Sequence, residues 1–229
     1  MTSLNRGVDL NLMPFIVAAV GAYLLGSIPS GYLVARAKGI DIRSVGSGNI
    51  GATNVFRTLG KWLGILVLVL DGIKGYAACV WLCDLLIPKF AGGDYWSLEI
   101  RVTAGVAAIL GHNYTCWLRF KGGKGIATSA GVLAALVPWS LVIIVSIWII
   151  TVAATRYVSL ASIFASAALP VAALVTHENT DSQNRGSLLM FLVLTAMTTL
   201  AIYKHRANIK RLLNGTESRL QLKRKEKTT

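Results

Sequence analysis

Two short segments carry residue types that could do chemistry together: Gly46-Ser-Gly-Asn-Ile-Gly-Ala-Thr-Asn-Val-Phe-Arg57 and Lys121-Gly-Gly-Lys-Gly125. Glycine lets successive backbone N–H groups converge on an anion, and a fixed cation beside them neutralises it. In the first segment Gly48 serves the backbone, Ser47, Asn49, Thr53 and Asn54 bring hydroxyl and amide groups, and Arg57 brings a fork matched to phosphate. In the second, Gly122, Gly123 and Gly125 alternate with Lys121 and Lys124 just after Gly111-His112-Asn113-Tyr114. A helix starting at Ile126 would aim the positive end of its dipole at the same anion. The chemistry indicated is phosphate binding. Each segment alone also reads as a flexible interhelical turn, Thr53 and Asn54 as helix caps, and His112 as a locally bonded interfacial residue.

Several familiar motifs are excluded by context. Gly46-x-Gly48-x-x-Gly51 with Asp71 matches a dinucleotide fingerprint, but that motif needs a preceding strand, whereas here it follows an apolar run and Asp71 lies inside the next one. Lys124 is not a Walker lysine, because Gly125 stands at the Ser/Thr position and Leu118 at the leading Gly position. His112 and His205 are followed five positions on by Trp117 and Lys210, so no His-x-x-x-x-Asp pair occurs. There is no Gly-x-Ser-x-Gly elbow and no metal-ligand spacing, and neither a metal nor a cofactor is expected. Cys79, Cys83 and Cys116 read as small apolar fillers rather than ligands or disulfide partners.

The elements that must position these residues are membrane helices. Of 229 residues 54% are hydrophobic and only 14% charged, against about 25% charged in ordinary soluble domains. Mean hydropathy is +0.60. Apolar runs lie at 14–36, 61–88, 98–118, 157–176 and 187–203. The stretch from Ile126 to Thr155 would extend ~45 Å as one helix, too long for a ~30 Å hydrocarbon core. Pro138 divides it into two short spans. No long polar segment could fold separately, so one unit over 1–229 is expected, with a basic tail at 204–229 and no cleavable signal peptide.

Charge sets the orientation. Arg36, Lys38, Arg43, Arg57 and Lys61 flank the first glycine segment, and Arg119, Lys121 and Lys124 crowd the second. The tail carries nine bases against Glu217 and Glu226. The opposite connections hold Asp84, Lys89, Asp94, Glu99 and Arg101, and Glu178, Asp181 and Arg185. The positive-inside bias places both glycine segments and the tail in the cytoplasm, which requires seven transmembrane helices with the N-terminus outside and the C-terminus cytoplasmic. The net charge of +13 then faces lipid headgroups, and nucleic acid is not an expected partner.

That topology adds the Arg156–Ser162 turn to the same face, so four polar segments converge there. Ser159 in the turn is by itself a helix-packing serine. His205, Asn208 and Glu217 in the tail read by themselves as part of a basic amphipathic helix. Asp71 and Lys74, one turn apart in a span, read as a structural ion pair. His177 falls on the opposite face.

Gly-Ser-Gly-Asn-Ile-Gly-Ala-Thr-Asn-Val-x-Arg, Gly-His-Asn-Tyr-x-x-x-x-x-Phe-Lys-Gly-Gly-Lys-Gly-Ile-Ala-Thr and His-x-x-Asn-Ile-x-Arg-Leu-Leu-x-Gly-x-Glu together resemble the bacterial acyl-phosphate:glycerol-3-phosphate acyltransferase family, the PlsY type. Gly26–Gly31, Asp71–Gly75 and Tyr157–Leu160 extend the resemblance over nearly the whole chain. It implies transfer of a fatty acyl group from acyl-phosphate to the 1-hydroxyl of glycerol 3-phosphate, giving lysophosphatidic acid and phosphate. The implied catalytic set is Ser47, Arg57, Lys124, Ser159, His205, Asn208 and Glu217. The implied setting is the cell inner membrane with the site facing the cytoplasm, with membrane lipids and the enzyme that makes acyl-phosphate as partners. An acyl-phosphate is a mixed anhydride with a good leaving group, so direct attack without an acyl-enzyme suits a site lacking a triad. A transporter for a phosphorylated solute is the rival from another class; it predicts two repeated halves, and no internal repeat is visible. A lipid-sensing scaffold would leave the paired phosphate segments unexplained.

Overall fold

A backbone in hydrocarbon satisfies its polar groups internally, so long apolar runs become helices. The computed structural model describes residues 12–90, 97–176 and 185–220, and contains no strand among them. The helices are α1 (Met13–Ser27), α2 (Ser30–Arg36), α3 (Ala52–Leu59), α4 (Lys61–Cys79), α5 (Trp81–Phe90), α6 (Ser97–Asn113), α7 (Ile126–Leu136), α8 (Pro138–Thr155), α9 (Val158–Thr176), α10 (Arg185–Lys204) and α11 (Arg206–Leu213). The readings placed on Asp94, His177, Glu178, Asp181, Lys223–Lys225, Glu226 and Lys227 lie outside the described residues.

The breaks have local causes. Pro29 lacks an amide for the helix ladder and separates α1 from α2. Pro138 opens α8, where a missing N–H costs nothing, and so divides the long apolar stretch as expected. Arg156 turns left-handed at φ 61° to end α8. At His205 the chain bends by 55° from α10 into α11.

Four segments are long and apolar enough to cross a membrane: Met13–Arg36, Lys61–Leu86, Pro138–Thr155 and Val158–Thr176. The bent pair Leu188–Lys204 and Arg206–Leu213 makes a fifth if counted as one span. The stretches where the sequence leads to the other two of seven spans hold α6, with 17 residues, and α7, with 11, both shorter than those segments.

Small residues set the packing, as they do where lipid removes the hydrophobic drive between helices. Between α1 and α6 a Cβ on Gly26 would lie 2.1 Å from the Ala108 carbonyl oxygen, and one on Gly111 2.2 Å from that of Tyr23. Ala18, Ala22, Ala104 and Ala108 line this seam without any exposure. Between α4 and α7 a Cβ on Gly75 would meet the Thr128 oxygen at 2.1 Å, and one on Gly131 the Gly72 oxygen at 1.9 Å. A second core joins Leu133, Leu136, Ile144, Leu169, Leu194 and Met197 of α7 to α10.

Asp71 and Lys74 form the expected pair at 2.9 Å, both deeply buried. They are not alone. Lys74 Nζ also donates to the carbonyl of Ile28 at 2.8 Å, a group freed by the break at Pro29, and His112 Nδ1 lies 3.7 Å from the same Asp71 oxygen. The pair therefore ties three helices, α1, α4 and α6, at one level.

Candidate functional site

The first glycine segment is shaped by one side chain. Asn54 sits in α3, where its Oδ1 accepts from the Ser47 amide at 2.9 Å and its Nδ2 faces the carbonyls of Ile42, Val45 and Asn49 at 3.2, 3.0 and 2.9 Å. It folds the loop back on the helix rather than capping it. The cap position belongs to Gly51, whose amide donates to Asn49 Oδ1 at 2.8 Å. Gly46 and Gly48 adopt φ of 59° and 68°, which explains glycine at these turns. The wall formed here consists of Ser47, Asn49 and the opening residues of α3, with Arg57 just over one turn along. Ala52 and Thr53 present the first amides of α3, which have no carbonyl one turn back to bind.

The second segment differs from the expected anion nest. The amides of Gly122 and Gly123 donate to the carbonyls of Asn113 and His112, at 3.2 and 3.0 Å. A Cβ on Gly122 would sit 2.0 Å from the His112 oxygen, and one on Gly123 2.1 Å from His112 Nε2. Glycine is needed so that the strap can lie against the end of α6. Lys121 is exposed, and Lys121, Gly122, Gly123, Asn113 and Gly48 stay off the cavity wall. Lys124 and Gly125 reach it, followed by Ile126 and Ala127 of α7.

Glu217 gathers the other walls. Its Oε1 accepts from Ser159 Oγ at 2.7 Å and Asn208 Nδ2 at 2.8 Å, and its Oε2 from Arg211 Nε at 2.7 Å. Burial alone would raise its pKa; these three donors outweigh burial and hold the carboxyl below its usual range. Asn208 passes the link on, its Oδ1 accepting from Lys124 Nζ. Burial presses the Lys124 ammonium down to about 8, Glu217 opposing and Arg211, Arg57 and Lys204 reinforcing the shift. Arg57 Nη2 donates to the carbonyl of Ser218 at 2.8 Å, and the Leu220 amide donates to that of Arg156 at 2.7 Å. The tail is thus the clasp that joins the first segment, the second segment and the α8–α9 turn.

Together these walls enclose a polar cavity of about 130 Å³. Ser47, Asn49, Thr53, Asn54, Arg57, His112, Lys124, Gly125, Ser159, His205, Asn208 and Glu217 all line it. Asp71, Leu68, Trp148 and Ser162 line it too, and the sequence reading did not place them there. Asp71 was legible as a buried charge but not as a wall, because its facing depends on how α4 packs. Below the polar cavity lies an apolar groove of about 390 Å³ between α4, α7, α8, α9 and α10. Leu68, Ile126, Ala127, Trp148 and Ser162 belong to both walls, so the two spaces meet.

The site thus joins a cation-lined polar cavity to an apolar groove within a helical integral membrane protein. The family model for glycerol-3-phosphate acyltransferase matches residues 16–215. The chain belongs to that family. It is 48% identical over 205 residues to the glycerol-3-phosphate acyltransferase of Geotalea daltonii, covering 89% of this chain and 96% of that one. Against the enzyme of Desulforamulus reducens the identity is 45% over 210 residues, with 91% and 96% covered. A solved structure of PlsY (YgiH), an integral membrane glycerol 3-phosphate acyltransferase in its glycerol 3-phosphate form, superposes with a TM-score of 0.77 at 39% identity. That comparison covers 90% of this chain and 96% of the solved one. The resemblance read from the motifs is thereby borne out at the level of the family and of a membrane-embedded acyltransferase.

Proposed function

We propose that this protein transfers a fatty acyl group from acyl-phosphate to the 1-hydroxyl of glycerol 3-phosphate, releasing lysophosphatidic acid and phosphate. The observation that carries the reading is the shared wall between the two spaces: a cation-rich cavity for phosphates runs directly into an apolar groove for a fatty chain. An acyl-phosphate has that shape, with its reacting carbonyl at the boundary between head and tail.

In this reading Arg57, Lys124 and the free amides opening α3 hold the phosphates, and Ser47 and Asn208 orient the acceptor. Ser159, Glu217 and Arg211 fix Asn208, and Asn208 in turn fixes Lys124. His112 and His205 complete the wall. The acceptor hydroxyl attacks the acyl carbonyl, the bond from the carbonyl carbon to the phosphate oxygen breaks, and the hydroxyl proton leaves with the departing phosphate. Lys124 and Arg57 stabilise the charge that develops on that phosphate. Positioning supplies much of the rest, and no acyl-enzyme forms. The catalytic cavity faces the cytoplasm of an inner membrane crossed seven times, with α6 and α7 as short spans and the N-terminus outside. The enzyme that makes acyl-phosphate would deliver the donor from that side.

Purified protein in phospholipid vesicles should form lysophosphatidic acid from acyl-phosphate and glycerol 3-phosphate, with one phosphate released per acyl group and no product from acyl-CoA. Product from acyl-CoA alone would overturn the donor assignment. Trapping a stable acyl ester on Ser47 during turnover would overturn direct attack.

A further inference from the structure

The apolar groove has a start, an end and an open side. Its start is Trp148, which also faces the polar cavity and whose Nε1 donates to Ser162 Oγ at 3.2 Å, so the ring is held at the boundary. From there the wall runs along α8 to Leu141, along α9 from Ser162 to Leu169, and along α7 from Ile126 to Leu133. Each stretch is eight residues, seven steps and so about 10 Å of helix at ~1.5 Å per step. One turn further on, Leu136, Ala172 and Leu194 are buried in the core and no longer line the groove, which we take as its far end. The side differs: Leu68, Val145 and Ile149 of the groove are 52%, 40% and 56% exposed, and they face outward between α4 and α8.

A depth of about 10 Å takes roughly eight carbons of an extended chain, since C–C bonds of about 1.5 Å advance ~1.25 Å each along its axis. Long fatty chains exceed that. The closed end leaves the excess one route, sideways into the bilayer. Resting on the acyl-donor reading above, we propose that the groove reads only about the first eight carbons next to the acyl carbonyl and leaves the rest of the chain in lipid. The enzyme is then indifferent to the length and terminal branching of long chains, and selective against substituents near the carbonyl. The physical reason is a difference of surroundings. Carbons beyond the exit stay among lipid tails in the free and bound donor alike, so they contribute no discrimination. A methyl branch inside the groove meets Leu133, Ile144 and Leu169, which are 2%, 8% and 3% exposed and packed into the core.

The test is a donor series for the full-length enzyme in vesicles: straight-chain acyl-phosphates of increasing length, one with a methyl at carbon 6, and one with the same methyl at the chain end. We expect the carbon-6 methyl to lower kcat/KM by about tenfold or more, while terminal branching and added length beyond the groove change it by less than about twofold. Leu169→Ala, by widening the wall, should restore the carbon-6 donor relative to the straight one. If that variant does not fold, the wild-type profile decides alone. Equal use of the carbon-6 donor, or rejection of the terminally branched one, overturns the proposal while leaving the acyl-phosphate reading intact. No product from any straight-chain donor overturns that reading, and this proposal with it.

Discussion

Lys124 is the residue on which charge and geometry meet. Its ammonium donates to Asn208, Asn208 is held by Glu217, and burial brings its pKa down to about 8. A lysine whose pKa is depressed gives up its proton as pH rises through that value, so the free enzyme loses above about 8 the charge proposed to hold a phosphate. We therefore expect kcat/KM to fall on the alkaline side with an apparent pKa near 8. The corresponding limb of kcat should lie at higher pH, because bound phosphates favour the charged form. Lys124→Arg keeps its charge throughout this range and should abolish the limb, whatever its rate. Lys124→Met should cost on the order of 10²-fold in kcat. A pH profile unchanged in Lys124→Arg would remove Lys124 from the binding of the anion. At this scale the sequence was informative about types and misleading about reach. Arg57 and Lys124 line the cavity, whereas Lys121 points away and Gly122 and Gly123 bind the end of α6.

At the scale of elements, close backbone approach positions the cavity walls. α7 starts two residues after Lys124, and Gly131 on it faces the Gly72 carbonyl so closely that a Cβ would come within 1.9 Å. Backbone cannot yield as a flexible side chain can. Gly131→Ala should destabilise the protein by about 1–3 kcal/mol, read as a lower unfolding temperature in detergent. It should also reduce activity at temperatures where the fold is intact, since moving α7 moves Lys124 and Gly125. Wild-type stability and rate together would show that the α4–α7 seam has slack. The helices themselves were legible from apolar runs, Pro138 and the positive charges at their ends. Their exact breaks, at Pro29, Val80 and His205, were not, because each depends on which neighbour takes the freed backbone groups, as Lys74 does for Ile28.

Across the whole molecule, the buried ions link distant parts. Lys74, Asp71 and the Ile28 carbonyl join α1 to α4, and His112 beside Asp71 stands next to the glycine strap. Removing one charge leaves the other buried without its partner, a cost of about 3–5 kcal/mol. Asp71→Ala should therefore destabilise strongly in chemical or thermal unfolding. The double variant Asp71→Ala with Lys74→Met should lose much less than the sum of the two single losses. Additive losses would show that the two groups act independently.

The amino-acid sequence by itself determined that this is a helical membrane protein with two glycine-and-cation segments and the motifs of one enzyme family. Hydrophobic length, charge distribution and glycine spacing are local properties, and they survive being read along a line. What only the tertiary structure decided is which of those groups share a space. The tail closes over Lys124 through Glu217 and Asn208, Asp71 turns toward the cavity, and Trp148 stands between the polar cavity and the apolar groove. These outcomes depend on how α4, α7, α8, α9 and the tail pack around one another, and packing is a property of surfaces that are far apart in sequence.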